Sequence, residues 1–116
     1  MRVMIDEGYE LLLAPQCVYE FYVVATRPVE QNGLGCSPTE AMQLLQNVAT
    51  IFPVLEDAQS TPQEWQTLCK NYGIQGKQAH DVRLVAWMVR QNVHELLTLN
   101  PKDFALFRGL ITVQGV

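Results

Sequence analysis

Residues 78–107 read QAHDVRLVAWMVRQNVHELLTLNPKDFALF, and their pattern indicates the fold. Residues 78–91 have apolar side chains at the spacing of a helix, and residues 95–99 form a short apolar run that is typical of a buried strand. Residues 100–107 open with Asn-Pro, which predicts the start of a second, shorter helix. A strand between two helices is the repeating unit of α/β proteins.

The same alternation extends over the preceding part of the chain. Further strands are predicted at residues 10–14, 52–55 and 110–113, and further helices at residues 16–26, 37–50 and 61–72. Ser37 and Thr61 each stand directly before a proline and three residues before a glutamate, which is the pattern of a capping box. Because strands and helices alternate, we expect an α/β fold with a mostly parallel sheet and helices on both of its faces.

Two segments have a less ordinary pattern. The helix at residues 16–26 is apolar nearly all round, so we expect it to be buried. At the start of the chain, Met1, Met4 and Ile5 have helical spacing, and Gly8 is placed to end a helix. A short, frayed turn accounts for residues 1–8 as well.

The composition predicts one domain, residues 1–116, with a hydrophobic core. Hydrophobic residues make up 48% of the chain and charged residues 17%, which excludes a disordered protein. The net charge of −4 argues against a broad nucleic-acid-binding surface, but it is compatible with an acidic pocket ringed by a few bases. Three cysteines without CxxC spacing, no signal sequence and no membrane-length apolar run predict a cytoplasmic protein without a membrane partner.

Three carboxylates stand where acidic side chains are unfavourable. Glu20 is the one charged residue in the apolar run 17–25, Asp81 heads the apolar stripe of its helix, and Asp103 follows a strand. A buried carboxylate needs a partner or takes up a proton. Three acids that converge without bases are what a divalent, oxygen-ligated metal requires, and the carboxyl ends of parallel strands would bring Glu20 and Asp103 to one edge.

Each acid also has a purely structural explanation. Asp103 would lie in the first turn of a helix that Asn100 caps, and Asp81 lies near a helix start, where backbone N–H groups and the helix dipole stabilise a negative charge. Glu20 is harder to explain in this way, because its helix offers little solvated surface.

Several bases and aromatic residues stand near these acids. The bases can contact the phosphates of a substrate or can simply be solvated; they are Arg27, Lys77, Arg83 and Lys102. The aromatic residues are predicted to belong to the core rather than to stack on RNA; they are Tyr19, Tyr22, Trp65 and Trp87.

Three segments together resemble the PIN-domain ribonucleases, especially the VapC-type toxins of bacterial toxin–antitoxin pairs. They are APQCVYEFYVVATRP (residues 14–28), GKQAHDVRLVAWM (residues 76–88) and LTLNPKDFALFRGLITV (residues 97–113). The resemblance extends in order and spacing from Leu11 to Val113. It implies a three-layer α/β/α fold with a mostly parallel sheet.

The resemblance also implies a catalytic site. Glu20, Asp81 and Asp103 correspond to acids of the family that hold Mg²⁺ or Mn²⁺, with Thr98 and Asn100 in supporting positions. The ion activates water to cleave RNA. The relatives are normally inhibited by a small antitoxin protein that covers this site, and they commonly form homodimers.

One large departure qualifies this expectation. The family opens with a strand that ends in an Asp-Thr-Asn type of motif, and that Asp is a metal ligand; neither Asp6 nor Asp57 matches its position. We therefore expect an N-terminally truncated PIN-like domain that lacks a central strand. The gap would expose backbone groups and apolar surface, which also predicts self-association.

Three functions remain open at this point. The first is a VapC-like, metal-dependent endoribonuclease that is impaired by the loss of one acid. The second is a catalytically weak or inactive module that binds a partner protein. A receiver-like or other doubly wound domain is the third, and the TLNPKDF segment at residues 98–104 argues against it.

Overall fold

The computed structural model describes residues 3–5, 11–98 and 100–115. In chain order the elements are β1 (Val3–Ile5), β2 (Leu11–Leu12), α1 (Pro15–Thr26), α2 (Pro38–Ile51), α3 (Thr61–Asn71), α4 (Gln78–Gln91), β3 (Glu95–Thr98) and β4 (Thr112–Gly115). Two short 3-10 helices span Val29–Gln31 and Pro101–Phe107. The chain is thus a mixed α/β protein, as its sequence predicts.

The four strands form one sheet in the order β2-β1-β3-β4. β1 pairs antiparallel with both β2 and β3, whereas β3 and β4 are parallel. It follows that β2, β3 and β4 run in one direction, and β1 is reversed between β2 and β3. The prediction of a mostly parallel sheet is wrong for these strands, since two of their three pairings are antiparallel.

The sequence leaves a helix or a short frayed turn open for residues 1–8, and neither is correct where the structure describes them. Val3–Ile5 is a strand, and Met4 lies opposite Leu12 on one side and Leu96 on the other. Pairing with two neighbours satisfies the backbone groups on both sides of the strand, and it prevails over the helical spacing of three apolar residues. Met1 and Gly8 lie outside the described residues.

The reversed strand also changes the basis for the self-association prediction. β1 lies between β2 and β3 in the interior of the sheet, where the sequence analysis expects a central strand to be missing. The exposed gap from which we expected dimerisation is therefore filled in the part of the chain that the structure describes.

The helix predictions depend on local signals and agree closely with the structure. The capping box of α2 is formed, because the Ser37 backbone N–H donates to Glu40 Oε1 at 3.0 Å and the Glu40 N–H donates to Ser37 Oγ at 3.1 Å. α4 has the predicted bounds. The strand predicted at residues 52–55 is reduced to one parallel bridge between Leu13 and Val54.

Helix α4 lies at the centre of the core. Its buried residues are Val82, Leu84, Val85, Ala86, Trp87 and Met88. α4 packs against α3 and against the 3-10 helix Pro101–Phe107, while α1 packs against α2. The Trp87 indole Nε1 donates to the Glu56 carbonyl at 3.0 Å, so the polar atom of this buried ring has a partner. No helix among the described residues is long and apolar enough to cross a membrane.

Helix α1 is much less buried than predicted. Only Gln16, Cys17 and Ala25 of this helix are buried. Tyr19 is 63% exposed and Val23 is 56% exposed, so the prediction that Tyr19 belongs to the core is wrong. Among the described residues α1 packs mainly against α2, and much of this largely apolar helix therefore remains at the surface.

Candidate functional site

Strand direction brings two of the predicted acids, Glu20 and Asp103, toward one edge of the sheet. β2 and β3 run the same way, so the segments that follow them leave the sheet at the same edge. Glu20 lies on α1, which follows β2, and Asp103 lies on the 3-10 helix Pro101–Phe107, which follows β3. Asp81 lies in the first turn of α4. We call this region, defined by Glu20, Asp81 and Asp103, the acidic edge.

A buried glutamine connects two of these acids' helices. Gln16 Nε2 donates to Glu20 Oε2 at 3.2 Å and to the His80 carbonyl oxygen at 2.8 Å. The Glu20 carboxylate and the first turn of α4 therefore share one donor. The residue before Asp81 supplies the carbonyl, so Gln16 ties Glu20 to the segment that carries Asp81.

Gln16 is the site residue that the sequence analysis missed. The signal was available, because a residue four positions before Glu20 on a helix lies on the same face as Glu20. Gln16 is only 8% exposed, and its other side-chain atom, Oε1, has no hydrogen-bond partner among the described residues.

The three acids differ in exposure and do not form a metal centre as placed. Glu20 and Asp81 are half-buried, whereas Asp103 is exposed. No three His, Cys, Asp or Glu side chains of the described residues come together in a group that holds a metal ion. Carboxylate oxygens are the ligands that Mg²⁺ and Mn²⁺ prefer, so the donor chemistry is suitable but its placement is not.

Thr98 and Asn100 lie beside Asp103 in the order that the sequence predicts. Thr98 is 1% exposed, and its hydroxyl Oγ1 accepts the Asn100 backbone N–H at 3.1 Å. The Asp103 N–H donates to the Asn100 carbonyl at 3.1 Å. The Asn100 side chain makes no capping hydrogen bond, so the predicted cap is wrong in its chemistry. The side-chain hydrogen bond at this turn comes instead from Thr98, which accepts the Asn100 N–H.

The four bases predicted to contact phosphate differ in their surroundings, the two arginines from the two lysines. Two arginines have protein partners: Arg27 Nη2 donates to the Asn32 carbonyl at 3.1 Å, and Arg83 Nη2 lies 3.2 Å from Asp57 Oδ2. Lys77 and Lys102 are exposed, at the start of α4 and in the 3-10 helix that carries Asp103. By position, the two lysines are the better candidates for an anion at the acidic edge.

An apolar groove separates α1 from α2 on another surface. It has a volume of about 330 Å³, and we call it the α1–α2 groove. Its lining is almost entirely apolar and includes Leu13, Cys17, Val18, Phe21, Met42, Leu45, Val48, Ala49 and Val54. Met42 is 50% exposed. No charged residue stands between Glu40 and Glu56 in the sequence, so α2 presents amide and apolar side chains here.

Comparison with known proteins does not assign a family to the chain. No model of a known protein family matches it, and no curated protein matches it significantly.

Proposed function

We propose that this chain is a PIN-like domain of the VapC type, and that its acidic edge serves metal-dependent cleavage of RNA. The observation that carries the proposal is the common direction of β2 and β3, which sends the segments with Glu20 and Asp103 to one edge. The Gln16 contacts connect Glu20 to the first turn of α4, where Asp81 lies. In this proposal the helices cover both faces of the sheet, and the protein is cytoplasmic.

The chain's own residues would prepare the edge for an ion. Gln16 holds the Glu20 carboxylate against α4, and Thr98 orders the turn that leads to Asp103. Two carboxylates ~4 Å apart repel each other by roughly 4 kcal/mol at an effective dielectric constant of 20. Glu20, Asp81 and Asp103 would hold an Mg²⁺ or Mn²⁺ ion, whose charge would offset this repulsion.

Metal-dependent thermal stability tests the site without requiring activity. Mg²⁺ or Mn²⁺ should raise the melting temperature, because an ion that binds only the folded state stabilises it. Glu20→Gln and Asp81→Asn should remove this increase while the metal-free proteins stay as stable as the wild type or become more stable. A metal response that both variants retain would eliminate the shared site.

Cleavage of RNA is the functional readout. We expect slow Mg²⁺-dependent cleavage that Asp81→Asn abolishes, because one acid of the family has no counterpart in this sequence. A loosely placed ion is costly, since an error of ~1 Å can reduce a rate on the order of 100-fold. Robust cleavage that depends on Asp81 would show that three acids suffice. Complete absence of cleavage in a folded protein that does bind the metal would instead favour the second candidate function.

The second candidate is a weak or inactive PIN-like module that binds another protein. The α1–α2 groove favours it, because soluble proteins seldom leave an apolar surface of this kind uncovered. We assign the groove to a second copy of this chain, since two uncharged surfaces of an acidic protein can meet without repulsion. An antitoxin-like protein is the other occupant that a binding experiment can identify.

A further inference from the structure

A second cleft lies on the α3–α4 side of the molecule. It has a volume of about 500 Å³, within the range of roughly 300–1,000 Å³ that small-molecule sites occupy. It is lined by Asp57, Ala58, Gln59, Thr61, Pro62, Trp65 and Arg83, and we call it the α3–α4 cleft. None of the three acids of the acidic edge belongs to this lining.

In the cleft a hydrogen-bond donor, the Arg83 guanidinium, lies beside an acceptor, the Asp57 carboxylate. Arg83 Nη2 lies 3.2 Å from Asp57 Oδ2, and both side chains are a little under half exposed, at 44% and 43%. This contact involves one terminal nitrogen of the guanidinium and one oxygen of the carboxylate. The pair has no net charge, so the cleft is unsuited to a lone anion. It suits an uncharged ligand whose edge carries an acceptor next to a donor.

The apolar part of the cleft suits a flat ring. Pro62 and Trp65 line it, and the Trp65 indole Nε1 donates to the Ala79 carbonyl at 2.9 Å, which fixes the ring's orientation. Aromatic side chains provide the platforms on which bases of single-stranded nucleic acid stack.

A buried hydroxyl in the lining also lacks a partner. Thr61 is 4% exposed, and its Oγ1 has no hydrogen-bond partner among the described residues. The sequence predicted that this hydroxyl would cap α3, but Ser60 holds the N-cap position and Thr61 is the first helical residue. A buried polar atom without a partner is unfavourable, so a polar ligand group that reached this hydroxyl would be favoured.

The cleft and the acidic edge meet at the first turn of α4. Trp65 binds the Ala79 carbonyl, and Gln16 binds the next carbonyl along the chain, that of His80. Successive residues of a helix point about 100° apart, so the two side chains approach the same turn from different sides. The two surfaces therefore adjoin the same turn of α4.

We propose that the α3–α4 cleft binds one unpaired nucleobase of the RNA substrate. Trp65 stacks on the base, and the Arg83–Asp57 pair hydrogen-bonds its edge. The inference rests on the proposed function for its RNA, but it concerns base recognition and assigns no part of cleavage to the cleft. A free nucleoside presents the same base, so the experiment has to separate the two sources.

Binding of short RNA in EDTA tests the cleft apart from cleavage. Fluorescently labelled single-stranded oligonucleotides are compared with abasic oligonucleotides of the same length and charge. The wild type should bind the base-bearing RNA roughly tenfold more tightly, because stacking of one base on an aromatic ring is worth on the order of a tenfold to hundredfold gain. Trp65→Ala and the double variant Asp57→Asn, Arg83→Gln should lose this preference.

A matched control exists on the same two helices. Arg90 Nη1 and Glu64 Oε1 form a second ion pair at 3.8 Å, and neither residue lines the cleft. The double variant Glu64→Gln, Arg90→Gln makes the same change of charge and should retain the preference for base-bearing RNA. Circular dichroism identifies the variants that fold. Asp57 and Arg83 are exposed, so their double variant should fold and keeps the test valid if Trp65→Ala does not fold.

The outcomes separate this inference from the proposed function. A wild type without preference for base-bearing RNA, or a preference that survives in both cleft variants, overturns the cleft assignment whatever the cleavage result. Tight binding of free nucleosides without binding of RNA also overturns it. Retained base preference in Asp81→Asn, together with loss of cleavage, supports both proposals. Base preference in a protein that neither binds metal nor cleaves RNA supports the cleft and counts against the nuclease.

Discussion

Thr98 shows how one buried side chain positions the acidic edge. Its hydroxyl accepts the Asn100 N–H, and the Asn100 carbonyl accepts the Asp103 N–H. Thr98→Val keeps the shape of the side chain but leaves the Asn100 N–H without its acceptor. We expect a loss of about 1–3 kcal/mol in the free energy of unfolding, measured by urea denaturation.

Thr112→Val is the matched control for this prediction. Thr112 lies on the adjacent strand β4 and is exposed, so the same substitution should change the free energy of unfolding by less than about 0.5 kcal/mol. Equal effects of the two substitutions would show that the hydroxyl of Thr98 has no special role. A smaller metal-induced rise in melting temperature in Thr98→Val would connect the hydroxyl to the site.

At the scale of residues, the sequence shows which side chains are candidates for the site better than it shows which residues they contact. Glu20 stands out as the one charged residue in its apolar run, Asp81 heads an apolar stripe and Asp103 follows a strand, and strand direction places Glu20 and Asp103 at one edge. The role of Gln16 depends on a contact with the His80 carbonyl, 64 positions away in the sequence. Only a tertiary structure shows such a contact, although the Gln16–Glu20 spacing indicates half of it.

Helix α2 gives a prediction at the scale of elements, because its capping box includes a titratable group. Hydrogen bonds from Ser37, above all from its backbone N–H and then from its side chain, lower the pKa of the Glu40 carboxyl below its ordinary value. A group with a lowered pKa in the folded state stabilises the fold above its unfolded pKa, which is about 4.3 for glutamate. This stabilisation should disappear as the pH falls through the lower, folded pKa.

Melting temperatures between about pH 7 and pH 2 test this dependence. The wild type should be more stable than Glu40→Gln at neutral pH, and the two curves should converge at acidic pH. Glu30→Gln changes an exposed glutamate in the 3-10 helix Val29–Gln31 and serves as the control for general charge effects. Curves for Glu40→Gln that stay parallel to the wild type down to the lowest pH would contradict the prediction.

Elements that form through local sequence signals are predicted well, and elements that form through pairing with distant residues are not. α2 and α4 were predicted well, because caps and helical spacing act within a few residues. β1 was missed, because Val3–Ile5 becomes a strand through pairing with β2 and with β3, which is about 90 residues away. The predicted strand at residues 52–55 shrinks to a single bridge for the same reason, since its pairing depends on distant Leu13.

At the scale of the whole molecule, one reversed strand separates the structure from the expected sheet. β2, β3 and β4 run in the direction that the α/β prediction requires, and β1 lies reversed among them. The common edge of the segments that carry Glu20 and Asp103 depends on β2 and β3 only, so the reversed direction of β1 does not change it. An unfilled gap in the sheet no longer predicts a dimer, because β1 lies between β2 and β3.

The surface of α1 and α2 supplies a different reason for self-association. Tyr19 and Val23 are more than half exposed, and the α1–α2 groove adds Met42 and further apolar lining. We expect a two-fold dimer through this surface at micromolar concentration, measured by light scattering coupled to size-exclusion chromatography. A wild type that remains a compact monomer under these conditions would refute the assignment.

Two lysine substitutions locate the interface. Met42→Lys places a positive charge in the groove. At a two-fold contact each copy would bury this charge without a negative partner on α2, because α2 carries no charged residue after Glu40. We expect the dimer's dissociation constant to rise by roughly 100-fold or more. Leu106→Lys is the control, since Leu106 is 49% exposed against 50% for Met42 but lies on the 3-10 helix Pro101–Phe107, outside the groove. If both substitutions weaken the dimer equally, the groove is not the interface; if only Met42→Lys does so, the uncharged face of α2 is where two copies meet.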